Sequence, residues 1–216
     1  MRRLQLLLTL AWMVVTVSCN SHGVHGSGNV VTESRSVSGF NSVKLKGTGQ
    51  VLIDENGSES LTITADDNLM PYLTTEINGS QLVLGTKDNT SLNPSKDIIY
   101  KLAVKDLNAI EMGGLGSVDA KGIHTEKLKV VLGGSGNIST SGTADEQEIM
   151  LAGEGNYHGK DLQSKAASIS IMGNGDAVLN ASQKLDANIM GSGSIKYIGD
   201  PVVTQHILGS GSIQKQ

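Results

Sequence analysis

The side chains of this sequence that could do chemistry are few, and the fold decides whether any of them act together. Glycoside hydrolysis needs two placed carboxylates. The acids Asp66, Asp67, Glu154, Asp176, Asp186 and Asp200 are scattered along the chain, while most repeat positions carry Ser, Asn or Thr. His124, His158 and His206 fall at different phases of the pattern described below, and the sequence contains no Gly-x-Ser-x-Gly, so they read as structural. His22 and His25 form a His-x-x-His pair in a Gly-rich segment, but two ligands make a weak metal site. Glu154, Asn156, Asn174 and Asp176 lie between or just after paired glycines and are the calcium candidates. Ca2+ takes about six to eight oxygen ligands. Gly173-Asn174-Gly175-Asp176 is similar to the calcium-binding nonapeptide repeat, but it does not recur with that repeat's period. The same side chains serve equally as an Asn/Ser ladder bonded along a stack. No catalytic residue, cofactor or firm metal site follows from these types and spacings.

The elements that must position these residues are repeats. A pattern apolar-x-apolar-x-Gly-x-Gly-x-apolar begins at Val43-Lys44-Leu45-Lys46-Gly47-Thr48-Gly49-Gln50-Val51 and occurs seven times, up to Gln205–Ile213, where Gln205 breaks the first apolar slot. From the second copy on, the second glycine falls at 116, 136, 155, 175, 193 and 211, in steps of 20, 19, 20, 18 and 18. A fixed period of this size means stacked units. Apolar alternation within each unit is strand periodicity. Together they predict a parallel β-solenoid of about 18–20 residues per coil, with neighbouring strands about 4.8 Å apart. Each Gly-x-Gly would turn a corner, where dihedrals or space exclude a side chain. Residues 37–105 read as a mixed or antiparallel N-terminal capping part and 106–216 as the regular coils. Strands are expected at Leu61–Thr64, Leu73–Ile77, Gln81–Leu84 and Ile98–Val104, with hairpin-type turns at Asn56-Gly57 and Asn78-Gly79. A short helical turn is expected within Asp66–Leu73. The far end, at Ile213-Gln214-Lys215-Gln216, reads as a candidate contact surface or a simply solvated edge.

Upstream of the coils, Met1-Arg2-Arg3 and the apolar Leu4–Val17 read as a signal peptide over residues 1–18, too short to span a bilayer comfortably. Thr16-Val17-Ser18-Cys19 resembles the bacterial lipobox, with Thr16 where Leu is usual. Cys19, the single cysteine, is therefore the expected lipidation site, and no intrachain disulfide can form. Export by the general secretory route and an outer-membrane lipid anchor are expected, with Asn20 favouring that membrane. Residues 19–36 read as the lipidated Cys and a flexible Gly/Ser tether.

Composition narrows the partners. The 216 residues carry 17 Lys+Arg against 21 Asp+Glu, and removing the leader with Arg2 and Arg3 leaves 15 against 21, a net charge of −6. Without a basic block, and with 3% aromatic residues, the chain is a poor nucleic-acid binder. Membrane contact through the lipid and an unidentified protein or glycan ligand remain as partners.

Several segments together are similar to the bacterial head GIN domain family, whose adhesin label rests on analogy. They are Val37-Ser38-Gly39-Phe40-Asn41-Ser42-Val43, Gly47-Thr48-Gly49, Ala65-Asp66-Asp67-Asn68-Leu69, the late Gly-Ser-Gly units and Tyr197-Ile198-Gly199-Asp200-Pro201. The resemblance implies an all-β, right-handed, single-stranded parallel β-helix, exported and often lipid-anchored. It brings no agreed catalytic residues. The expected function is that of a cell-envelope lipoprotein presenting its solenoid as a non-catalytic binding, adhesion-like or structural surface. A polysaccharide-acting β-helix enzyme and a periplasmic scaffold or regulatory partner of an envelope complex are the alternatives.

Overall fold

The computed structural model describes residues 23–216. The leader, Cys19, His22 and the start of the tether lie outside the described residues. In chain order the strands are β1 (Gly23–His25), β2 (Val30–Arg35), β3 (Ser42–Leu45), β4 (Thr48–Glu55), β5 (Ser60–Asp66), β6 (Leu73–Asn78), β7 (Gln81–Thr86), β8 (Ser91–Asn93) and β9 (Ile99–Val104). They continue with β10 (Ala109–Met112), β11 (Leu115–Leu132), β12 (Ser135–Leu151), β13 (Glu154–Gly173), β14 (Asp176–Asn180), β15 (Lys184–Gly191), β16 (Ser194–Ile198), β17 (Val202–Gly209) and β18 (Ser212–Lys215). A single 3-10 turn, Met70–Tyr72, falls in the segment where a short helical turn was expected.

The regular part is a parallel β-solenoid of about 5 turns. One face stacks β7, β3, β10, the C-terminal parts of β11 to β13, then β15 and β17. The adjoining face stacks β9, β4, the N-terminal parts of β11 to β13, then β14, β16 and β18. Register follows the glycine period, so each inward apolar slot becomes a column. Leu82, Val43, Ile110, Val130, Ile149, Ile169 and Ala187 form one, and Tyr100, Val51, Val118, Ile138, Tyr157, Ala177 and Ile195 another. All of these are buried.

The glycine corners stack because a carbonyl of one coil occupies the place of a side chain in the next. A Cβ on Gly136, at φ +144, would lie 1.9 Å from the Gly116 carbonyl oxygen, and one on Gly116 equally close to that of Gly49. The corner changes along the axis. Positive φ belongs to the second glycine at 49, 116 and 136, but to the first at 173, 191 and 209. The change accompanies the shorter period and the break of the long strands into β14 to β18.

The cap is mixed. The pair β7–β9 forms an outermost coil parallel to β3–β4, so coil β3–β4 lies between it and β10–β11. The chain thus passes outward beyond its first coil before returning to build the rest. Strand β6 closes one face antiparallel to β7 across the Asn78-Gly79 turn, while β5 and then β2 close the other. Asn56-Gly57 departs from the hairpin reading, because β9 inserts between β4 and β5. The tether reading is corrected over residues 23–35. This stretch forms β1, parallel to β8, and β2, antiparallel to β5. Polar side chains hold it rather than an apolar stripe, which is why its composition resembles a linker.

One polar cluster sits inside the coils. The Tyr157 hydroxyl donates to Gln147 Oε1 at 3.0 Å and lies 2.8 Å from Thr140 Oγ1, while Gln147 Nε2 donates to Ser164 Oγ and the Asn180 carbonyl, each at 2.8 Å. Gly159 makes room for it, since a Cβ there would meet the Tyr157 ring at 2.4 Å. Buried polar atoms are tolerable because each has its partner.

Three substitutions test the corners and the polar cluster. Gly136→Ala is expected to cost about 2–4 kcal/mol, whereas Gly133→Ala, where a Cβ meets nothing within 4 Å, should stay within about 0.5 kcal/mol. Tyr157→Phe leaves Gln147 and Thr140 without their shared partner and should cost about 1–3 kcal/mol. Urea unfolding midpoints at unchanged m-value measure all three.

Candidate functional site

The axial stack of corners produces a ridge along the molecule. Its exposed positions include Ser135, Glu154, Asn174, Ser192 and Ser210. Beside it runs a side-chain ladder that follows the strand register. Asn156 Nδ2 donates to Asn137 Oδ1 at 3.0 Å, the Asp176 N–H donates to Asn156 Oδ1 at 3.2 Å, and Asp176 Oδ1 accepts from the Ser194 N–H at 2.9 Å and hydroxyl at 2.7 Å. The structure therefore brings Asn156 and Asp176 together in one column. Glu154 stands apart on the ridge, in register with Ser135. Asn156 Oδ1 and Asp176 Oδ1 already accept N–H and O–H groups. Among the described residues no group of three or more His, Cys, Asp and Glu converges as metal ligands. Asn156 and Asp176 are thus members of the ladder, while Glu154 and Asn174 stand on the ridge beside it.

The other acids also have structural partners. Asp186 pairs with Lys184 at 2.7 Å, and Asp200 with Lys215. His124 places Nδ1 2.9 Å from Thr143 Oγ1, and His25 places Nδ1 2.9 Å from Asn93 Nδ2. A groove of about 720 Å3, open to solvent, is lined by Asn41, Asp106, Asn108, His124, Glu126 and Lys127. Near it, burial raises the Glu55 carboxyl pKa, offset in part by the His124 N–H at 3.2 Å. Glu55 Oε2 is buried without a partner. Nothing in the local sequence marks Glu55, since its burial comes from packing against a coil that is distant in the chain.

A second constellation is a latch on the cap, built from Asp66-Asp67-Asn68. The fully buried Asp66 accepts from the Gly28 N–H at 2.8 Å, the Ser95 N–H at 2.9 Å and the Ser95 hydroxyl at 2.5 Å. Asp67 accepts from the Ser27 hydroxyl at 2.5 Å and Asn29 Nδ2 at 2.7 Å. Asn68 accepts from the Ser27 N–H and donates to the His25 carbonyl. Gly26 is pressed so close that a Cβ there would lie 2.2 Å from Asp66 Oδ2. Arg35 continues the clamp, donating to the Leu73 and Met70 carbonyls at 2.7 and 3.3 Å. Glu59 holds the next turn, accepting from the Gly39 N–H at 2.6 Å and pairing with Lys105 at 3.0 Å.

The segments that carry the resemblance thus acquire roles: Gly39-Phe40 beside Glu59, the corner at Gly47–Gly49, and Asp66–Asn68 in the latch. The family model for "Putative auto-transporter adhesin, head GIN domain" matches residues 39–201. The chain belongs to this head GIN domain family. Among solved structures, a "putative adhesin" from Bacteroides fragilis is 24% identical with a TM-score of 0.72, covering 90% of this chain and 100% of that one. A "putative lipid binding protein" from Parabacteroides distasonis is 26% identical with a TM-score of 0.56 over the same shares. A "putative adhesin" from Parabacteroides merdae is 22% identical, TM-score 0.55, covering 90% of this chain and 99% of that one. No curated protein matches the chain.

The latch gives this head GIN domain a pH dependence. The Ser95 hydroxyl above all, with the Ser95 and Gly28 N–H groups, holds the Asp66 pKa below its ordinary value, while the Ser27 hydroxyl and Asn29 do so for Asp67. A lowered folded pKa means that the contribution is complete above the unfolded carboxylate value of about 3.9 and is lost as pH falls through the folded values. Exchange protection of the Gly28 and Ser95 amides should therefore hold from neutral pH down to about pH 5 and fall below about pH 4. Asp66→Asn should lower protection at neutral pH and flatten this dependence.

Proposed function

We propose that this head GIN domain is an outer-membrane lipoprotein, anchored through Cys19, that displays its solenoid as a non-catalytic adhesion surface. The latch is the observation that carries the reading. It ties residues 25–29 to the cap, so only a few residues separate β1 from Cys19. An acyl anchor at Cys19 would hold the cap end against the membrane and direct the later coils away from it. The anchor contributes roughly 0.8 kcal/mol per buried CH2, so more than one chain is needed for stable attachment.

The ridge supplies the surface. Its Ser and Asn side chains, close to the Asn137–Ser194 ladder, suit a hydroxyl-rich ligand such as an envelope glycan, met by hydrogen bonds rather than stacking. The Parabacteroides distasonis relative is described as lipid-binding. In this chain the inward columns are filled by side chains such as Ile149, Ile169 and Leu185, so a lipid would have to be met at the surface.

Fractionation of producing cells tests the anchor. Cys19→Ser should move the full chain from the membrane to the soluble fraction, and retention in the membrane would overturn the lipid reading. Binding to envelope polysaccharide tests the ridge. Ser192→Arg with Ser210→Arg should weaken binding by about tenfold, or about 1.4 kcal/mol, without shifting the melting temperature. Unchanged binding would remove the ridge as the contact surface.

A further inference from the structure

We infer that β17 is the contact strand of a two-fold homodimer, pairing antiparallel with β17 of a second copy about Gln205. β17 is hydrogen-bonded along one side only, to β15. Unprotected sheet edges invite pairing, and natural proteins blunt them with charge or proline. In the large sheet the other outer strands follow that rule, for β2 carries Glu33 and Arg35, β6 carries Glu76 and β18 carries Lys215, and the uncharged outer strands β1 and β8 of the small sheet are only three residues long. β17 reads Val202-Val203-Thr204-Gln205-His206-Ile207-Leu208-Gly209, with no Asp, Glu, Lys, Arg or Pro. Val202 and Leu208 are 75% and 71% exposed, more than any other large apolar side chain among the described residues.

The order of these residues identifies the occupant. In an antiparallel pair, residues directly opposite point to the same side. Centred on Gln205, Val202 faces the second copy's Leu208, Val203 its Ile207, and Thr204 its His206. The register of β17 with β15 shows which side each takes. Val203, Gln205 and Ile207 continue the core columns of Leu185, Ala187 and Ile189, whereas Leu208 continues the outward stripe of Met172 and Met190. Every pair is therefore matched in kind, apolar with apolar on both faces and polar with polar, as a self-complementary two-fold contact requires. A foreign strand would have no reason to meet such a palindrome.

The pairing also accounts for Gln205, the one polar residue in an otherwise apolar core slot. On the two-fold axis its amide meets its own copy and can both donate and accept. A slip of two residues would set it against Val203 or Ile207 and leave it unmatched, so it fixes the register as a buried Asn does in a coiled coil. A single strand pair buries less than the roughly 800 Å2 per partner of a standard interface. The dimer should therefore be reversible and concentration-dependent, and favoured where copies share a membrane.

Thiol cross-linking tests this in the full chain carrying Cys19→Ser, where an added cysteine is the only one. Gln205→Cys should oxidise to a disulfide-linked dimer, since directly opposed strand residues lie within the Cα range of about 4.4–6.8 Å that a disulfide spans. Val202→Cys alone should give at least about tenfold less dimer, while Val202→Cys mixed with Leu208→Cys should cross-link as a heterodimer. Leu208→Lys should lower the Gln205→Cys yield by about tenfold or more. Sedimentation equilibrium of the Cys19→Ser chain should rise from monomer to dimer mass with concentration. A monomer at every concentration, assembly beyond the dimer, or Gln205→Cys dimer no greater than that of Ser192→Cys on the ridge would overturn the proposal.

Discussion

A carbonyl oxygen of one coil stands where a side chain of the next would have to be, and the architecture follows from that contact. At a corner such as Gly116–Gly136 the space between successive backbones admits hydrogen only. Coils can then stack at strand spacing with their axial hydrogen bonds intact, and every inward slot falls above its equivalent. The constraint reaches the cap as well. In the outermost coil the corner is replaced by residues 87–98, yet the Ile98 carbonyl oxygen still sits 2.6 Å from where a Gly49 Cβ would be. Between the glycine corners, variation falls on the other sides of the coil, which is where the cap segment after β4 leaves the stack.

This is also why so much of the fold is legible in the sequence. The contact demands glycine at fixed intervals, and the registers Ile110–Val130, Val130–Ile149 and Ile149–Ile169 reproduce those intervals residue by residue. What is not legible rests on contacts between residues far apart in the chain. Ser27, Gly28 and Asn29 look like linker until Asp66 and Asp67, about forty positions on, supply their partners. Asn56-Gly57 looks like a hairpin turn because nothing local announces that β9 will insert between β4 and β5. Asn156 and Asp176 offer oxygens a cation could use, but the coil stacking that brings them together also brings the Asp176 N–H to Asn156 Oδ1 and the Ser194 N–H and hydroxyl to Asp176 Oδ1.

The polar interior shows the same coupling between period and packing. Tyr157 shares a column with Ile138 and Ala177, and its ring lies against Gly159. Its hydroxyl is then carried to Thr140 on the previous coil and to Gln147. Burial raises the pKa of this hydroxyl, as it does that of Tyr100, pushed up to about 12, whose oxygen has no partner. The two tyrosines share one column of the solenoid, yet only the one among regular coils finds polar neighbours. A column position therefore sets which way a side chain points, while the neighbouring coils decide whether its polar atom is satisfied.

The two ends of the stack are finished by different physics. At the cap, antiparallel strands β2 and β6 cover the outermost coil, and their charged residues make further pairing unfavourable. The latch adds a polar seal that ties the chain's first described residues to this end. At β17 the inward slots run on through Val203, Gln205 and Ile207, with the strand's outer edge uncharged. A parallel coil cannot terminate its own ladder, because each strand offers on its free edge the same groups that the previous strand used. Reversal of strand direction ends it at the cap, where the chain folds back on itself. The same reversal at β17 requires a second strand running the other way, and the palindrome about Gln205 makes another copy of β17 a matched source of it.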